Sequence, residues 1–334
     1  MKPALVDVSV LLIFFNRPEP FSRVFEQVRK ARPSRLFLYQ DGPRNENDLK
    51  GIEQCRVIAS EIDWECEVKT FFQEKNQGCD PSGYLADKWA FSLTDKCIIL
   101  EDDCVPAVSF FQFCKEMLDK YENDQRVWMI SGFNHEEVST HIDSDYFFTE
   151  VMSIWGWATW KRVVDKWDAE YSFLDDPGKS LQLERIVNQK KNKKDFMRMC
   201  RKHKETGKPH FETILWASML FYEGVAVMPK KNMINNIGVS EDSTHFATPA
   251  YMLPKGYRKI FTMDRYDLSF PLCHPENIVA DKRHKRNVYR ILAWDHPLIK
   301  ISRSFEELFI NLKYGNFKNI KNSVRNRFNK ITKK

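Results

Sequence analysis

The stretch VSVLLIFF, Val8 to Phe15, constrains the fold most. Its β-forming side chains are apolar on both sides of the pleat, interrupted only by Ser9. A strand of this kind is buried on both faces, as in a parallel sheet covered by helices on each side. The next segments keep the same rhythm. Phe21, Val24, Phe25 and Val28 fall at the i, i+3, i+4, i+7 spacing of a helix face. RLFLY (Arg35 to Tyr39) reads as a second strand, and Ile52, Cys55, Ala59 and Ile62 mark a second helix. CEVKTFF (Cys66 to Phe72) reads as a third strand, NQGCDPSG as a loop, and Gly83 to Leu93 as a third helix. KCIIL is the fourth strand, followed by a helix signed by Phe110, Phe113, Cys114, Met117 and Tyr121, and then by the strand RVWMISG. Strands alternating with helices predict an α/β fold with an open, mostly parallel sheet.

The second half is less regular. SIWGWATW (Ser153 to Trp160) is aromatic and turn-rich. Leu181 to His203 reads as one helix carrying KKNKK, and Phe211 to Tyr222 as a core helix. INNIGVSEDSTHF starts like a strand and ends as a polar loop. No Gly/Ser linker divides the chain. One main domain is expected over 1–274, with halves 1–135 and 136–274, followed by an appendage over 275–334.

In open parallel sheets, ligands bind beyond the carboxyl ends of the strands. Five polar clusters fall there: Asn16-Arg17, Gln40-Asp41-Gly42, Asn76-Gln77-Gly78, Glu101-Asp102-Asp103 and Gly132-Phe133-Asn134. No G-x-G-x-x-G follows the first strand and no P-loop is present. Phosphates must then be held differently, and carboxylates at a strand end can hold Mg²⁺ or Mn²⁺, which bridges to a diphosphate. Three acids directly after IIL exceed what a helix N-cap needs.

IILEDDCVPAVSFFQFCKEML resembles the acidic metal-binding motif of GT-A-type glycosyltransferases, with a local likeness to N-acetylglucosaminyltransferase I-like enzymes. FFNRPEPFSRVFEQV, YQDGP, EKNQGCDPSG, SGFN and WGWATW are similar to further elements of this group, in the expected order, over residues 5 to 250. The resemblance implies a GT-A fold and a metal-dependent transferase acting on a nucleotide-diphosphate sugar, with UDP-sugars as the leading donors. It implies Asp103 as the direct metal ligand and Glu101 and Asp102 as contacts to the donor sugar or ribose. Asn16 and Arg17 would line the nucleotide pocket, and Asp41 would accept a hydrogen bond from the base. Asn76, Gly78 and Asn134 complete the donor set. His245 sits where a late metal or diphosphate ligand is expected, near Glu241 and Asp242; an imidazole there suits Mn²⁺ better than Mg²⁺.

An inverting transfer needs a carboxylate to take the proton of the attacking hydroxyl. Glu212, in HFETILW, is the candidate, with Asp168, Asp175 and Glu150 as rivals. Among Trp155, Trp157 and Trp160, the first two are the candidate sugar platforms, against the ordinary role of large aromatics as core. His135 and Glu136 are candidate acceptor contacts. Two other readings stay open. A sugar-phosphate nucleotidyltransferase would need a Gly-rich basic loop where this chain has NRPEP, and a non-catalytic carbohydrate-binding protein has little use for three acids at a strand end.

Net charge separates the tail from the body. The chain carries 52 Lys/Arg and 46 Asp/Glu, a formal charge of +6. From Asp281 onward it carries 15 Lys/Arg and 4 Asp/Glu, a balance of +11, which leaves −5 for the rest. Phe305, Leu308, Phe309 and Leu312 recur at helical spacing within that basic tail. Such a tail points to an anionic partner, either a membrane surface or a polyanion, against the ordinary role of a solvated helical face with surplus lysine; the acceptor is expected to be a glycan or lipid-linked glycan, and no nucleic-acid partner is expected. The eight cysteines form no CxxC pair, and Val8 to Phe15 lacks a signal-peptide cleavage site. These features predict a cytoplasmic protein, docked peripherally on the inner membrane face if the tail binds lipid.

Overall fold

The computed structural model describes residues 1–239, 250–317 and 325. In chain order the strands are β1 (Val6–Phe14), β2 (Pro33–Gln40), β3 (Glu67–Phe72), β4 (Lys96–Glu101), β5 (Cys104–Pro106), β6 (Val127–Ser131), β7 (Tyr146–Thr149), β8 (Trp157–Trp160), β9 (Val225–Pro229) and β10 (Ile234–Asn236). The helices are α1 (Pro18–Ala31), α2 (Leu49–Ser60), α3 (Cys79–Ala90), α4 (Ser109–Lys120), α5 (Lys161–Val164), α6 (Pro177–Gln189), α7 (Phe196–Glu205), α8 (Phe211–Phe221), α9 (Lys255–Phe261), α10 (Lys282–Ile291) and α11 (Pro297–Lys313).

An eight-stranded sheet runs in the order β3-β2-β1-β4-β8-β6-β9-β7. Its first four strands are parallel. β8 runs antiparallel to both β4 and β6, β9 is parallel to β6, and β7 is antiparallel to β9. The chain is therefore α/β with a mixed, mostly parallel sheet. Successive residues Val8 to Leu12 are all buried. Because neighbours on a strand point to opposite faces, both faces of β1 are covered. β3 is one edge and β7 the other; on β3, Glu67 and Lys69 are exposed and blunt it against pairing with another chain.

Several elements depart from expectation. The loop expected at NQGCDPSG is already helical from Cys79, because Pro81 in the first turn has no intrahelical bond to lose. Asp103 does not lead directly into a helix. The short strand β5 follows it and pairs with β10 in a second, two-stranded sheet. SIWGWATW supplies β8, a central antiparallel strand. The long helix over 181–203 is two, α6 and α7. Lys191 between them takes a left-handed φ of 47°, and the buried Asn192 donates its backbone N–H to Val187 O (2.9 Å).

The chain past 275 begins as part of the body. Ala280 forms a bridge with Phe148, and Asp281 N donates to Phe148 O at 2.7 Å. In α10, His284 and Val288 are fully buried, and Trp294 beyond it stacks on Trp216 with ring centroids 5.6 Å apart. Among the described residues no helix is long and apolar enough to cross a membrane.

Candidate functional site

The polar ends of β1, β2 and β4 meet the N-terminus of α3 in a pocket of about 260 Å³. Asn16, Arg17, Asp41, Asn76, Gly78, Glu101 and Asp102 all line it. The parallel register explains the convergence: Glu101 lies opposite Ile13, so the acids begin where β1 runs out.

Each side chain is held. The Asp41 carboxylate accepts Gly42 N (2.8 Å), Gln77 N (2.8 Å), Gly78 N (3.1 Å) and Asn76 Nδ2 (2.8 Å). Four donors occupy the four acceptor positions a carboxylate offers. Asp41 thus clamps the loop after β3 onto the end of β2, and the base contact expected of it meets a carboxylate already occupied. Asn16 Nδ2 donates to Asp48 Oδ1 at 2.6 Å, and the same carboxylate takes Arg44 Nη2 at 2.6 Å and Arg44 Nε at 2.9 Å. Arg44 beside it holds the Asp48 carboxyl down at about 2. The Arg44 guanidinium also lies over the Phe15 ring at the pocket wall (5.1 Å). Sequence reasoning missed Asp48 and Arg44; the signal was the arginine that closes QDGPR.

Arg17 spans the acidic triplet. Its Nη2 donates to Asp103 Oδ2 at 2.8 Å and to Asp102 Oδ1, while its Nε donates to Asp102 Oδ2 at 3.3 Å. Burial opposes its charge, but Asp102 and Asp103 prevail and hold it protonated. Burial raises the Asp102 carboxyl, with Arg17 pulling the other way. The Glu101 carboxyl is pushed well above the usual range by burial and then by Asp103, Glu212 and Asp102. Arg17 pairs with Asp102 and Asp103 only, and the raised carboxyls of Glu101 and Asp102 mean that ionising all three acids together is costly unless a further cation shares the charge.

Ligand atoms of Glu101, Asp103 and Cys104 lie within 4.8 Å of one another. Burial and then the neighbouring acids push the Cys104 thiol up, and the other two donors are hard carboxylate oxygens. That donor set fits Mg²⁺ or Mn²⁺. Gly238 closes on the same spot: a Cβ there would meet Asp103 Oδ2 at 2.1 Å, so a larger residue would have to displace the Asp103 carboxylate. Val239 ends the described chain on this side. His245, with Glu241 and Asp242, lies outside the described residues.

A second pocket, of about 360 Å³, is lined from the same helix start as the first. Trp155, Trp216 and Trp294 give it aromatic walls, and Glu212 lines it. The N-terminus of α8 divides the two spaces: Phe211 faces the first and Glu212 the second. Gly83 admits Phe211, whose ring would lie 2.8 Å from a Cβ on that residue. His210 holds the helix start through Asp80 (3.2 Å), stacked on His203 at 3.8 Å.

Two expected site residues, Asn134 and Trp157, are elsewhere. Asn134 is fully buried, and its amide donates to Ser139 Oγ (3.0 Å), Pro229 O (3.0 Å) and Lys230 O (3.1 Å), so it fastens a loop. Trp157 and Trp160 are 1% and 2% exposed within β8 and offer no face to a sugar. Trp155 does line the second pocket, braced by Phe133 at 4.8 Å. Of the rival bases, Asp168 accepts Ser172 Oγ (2.8 Å) and Asp175 pairs with Lys204, and neither lines either pocket. Glu150 lines the second pocket but is paired with Lys285 at 2.7 Å and Lys190 at 3.5 Å. His135 also lines that pocket, whereas Glu136 is tied to Ser139 (2.6 Å) and Asn287 (2.5 Å).

Compared with known proteins, the chain matches no family model, and no curated protein matches it. Function is therefore argued from the chemistry of the two pockets.

Proposed function

We propose that the chain is a metal-dependent, inverting glycosyltransferase of GT-A type. It would move a hexose or N-acetylhexosamine from a UDP-sugar to a hydroxyl of a glycan or lipid-linked glycan. The observation that carries this reading is the start of α8, where consecutive residues line a polar space that ends at Glu101 and Asp102 and an aromatic space that holds Glu212, close enough for Glu212 to raise the Glu101 carboxyl.

The first pocket takes the nucleotide. Phe15 and Arg44 at its wall offer a ring face and a cation, and Asn76 and Gly78 are set by Asp41. Glu101 and Asp103 would hold the cation, with Arg17 orienting the acids. The cation, when bound, neutralises the leaving diphosphate. In the second pocket Trp155 gives the acceptor sugar a ring to lie against. Glu212 takes the proton as the acceptor oxygen bonds to the anomeric carbon. The bond from that carbon to the diphosphate oxygen breaks, and its electron pair leaves with the nucleotide.

Incubation of the protein with a panel of nucleotide sugars and Mn²⁺, with released nucleotide read by mass spectrometry, tests the class. UDP released from one UDP-sugar, above the metal-free control, supports the reading. No release from any donor, with or without acceptor glycans, overturns it.

A further inference from the structure

Helix α11 is amphipathic in the wrong sense for a helix packed on a globular body. Its inward side is partly polar. Arg303 lies over the Tyr257 ring at 4.5 Å and donates to Ile291 O at 2.6 Å, and Glu306 accepts Lys255 N at 2.8 Å. Its outward side carries Leu298, Ile301, Phe305, Leu308, Phe309 and Leu312, all between 41% and 79% exposed. At 100° per residue these six fall on one stripe. Tyr251, Tyr314 and Phe317 are exposed as well, and the Tyr251 and Tyr314 rings are 5.1 Å apart. Leaving so many large apolar groups in water is unfavourable and marks a docking surface.

We infer that this stripe docks on an anionic lipid bilayer, lying in the interface plane with its apolar side chains among the upper acyl chains. Charge selects the occupant. Residues 318–334, which begin after four residues beyond the end of the helix, carry seven Lys/Arg and no Asp or Glu. A second copy would add the same excess of positive charge, and the two would repel. A nucleic acid would satisfy the charge but bury none of the six apolar side chains. An anionic bilayer satisfies both. The docking has a consequence that rests on the glycosyltransferase reading. Tyr257, which Arg303 covers, and Trp294 wall the second pocket, so the bilayer would hold that pocket close to a lipid-borne acceptor.

Flotation of the full chain tests the docking without reference to any donor or acceptor. Vesicles of equal parts phosphatidylcholine and phosphatidylglycerol should carry the protein upward, and raised salt should weaken the effect. Pure phosphatidylcholine should carry much less. The double variant Phe305→Ser/Phe309→Ser should lower partitioning roughly a hundredfold, since two phenylalanines no longer enter the bilayer. Its melting temperature should equal that of the parent, because both rings are already exposed. The inference is overturned if the parent stays unbound to anionic vesicles or if the double variant floats as well as the parent. It is also overturned if the variant turns a dimer into a monomer in sedimentation equilibrium, which would give the stripe to a second copy.

Discussion

The two pockets that meet at α8 are built on different principles. The first is a product of topology. Parallel strands β1, β2 and β4 end on one rim, so Asn16, Asp41 and Glu101 converge because their strands do. The second is a product of packing. Its walls come from the loop at 150–155, from α7, α8 and α9, and from the C-terminal segment through Tyr289, Leu292 and Trp294. The first concentrates charge, with three acids beside one arginine. The second concentrates apolar surface around Glu212. A polar space beside a largely aromatic one suits a reaction with a charged leaving group and a neutral acceptor.

Substitutions on each side of the divide should therefore fail in different ways. The largest effect is expected at the acids. Asp103→Ala should lower turnover by roughly a thousandfold or more, measured as UDP released from the donor identified in the screen. Glu212→Gln should lower turnover by about a hundredfold to ten-thousandfold. Calorimetric UDP affinity of that variant should stay within a few-fold, because the side chain lies on the second side. A comparable loss of UDP affinity would erase the division of labour. Trp155 and Trp157 sharpen the contrast further. Trp157→Ala empties a core position and should cost about 3–5 kcal/mol of folding stability in denaturant titration. Trp155→Ala should raise the acceptor KM roughly tenfold with the donor KM unchanged.

The smallest effect concerns how the C-terminal segment is fastened to the second pocket. His284 is buried against Thr149 Oγ1 (3.0 Å) and Phe147, and burial first, then His135, hold its imidazole down at about 3. The folded state therefore keeps it neutral while the unfolded chain protonates it near 6.5. Its contribution to stability is complete above that value and is lost progressively as pH falls toward about 3. Hydrogen exchange of α10 should accelerate over this window more than that of α1, which has no buried histidine.

The sequence made the first pocket readable for the same reason topology builds it. Apolar runs mark the parallel strands, and the residues just after each run fall on the rim. Glu101, Asp102, Arg17 and Asp41 were all found this way. What the method could not see was who answers whom. The base contact that the resemblance implies for Asp41 falls on a carboxylate that four donors from its own and the next loop occupy. It put Asn134 on the rim, although β6 ends beside β8 and β9 and the asparagine is consumed in pinning the chain at Pro229 and Lys230. The second half of the sheet was opaque because its strands are short. YFFT and VAVMP are too brief to show a period, and both are buried by partners distant in sequence. Tryptophans were ambiguous for a related reason. Composition cannot separate Trp155 at a wall from Trp157 two residues on, inside a strand.

The central claim is that the acids at the end of β4 bind a nucleotide through a divalent cation. Isothermal titration of UDP into the protein, with and without Mn²⁺, and into Asp103→Ala, tests it most directly. The account predicts tight binding only with Mn²⁺ present and its loss in the variant. Equal affinity with and without Mn²⁺, or binding unchanged by Asp103→Ala, would contradict it.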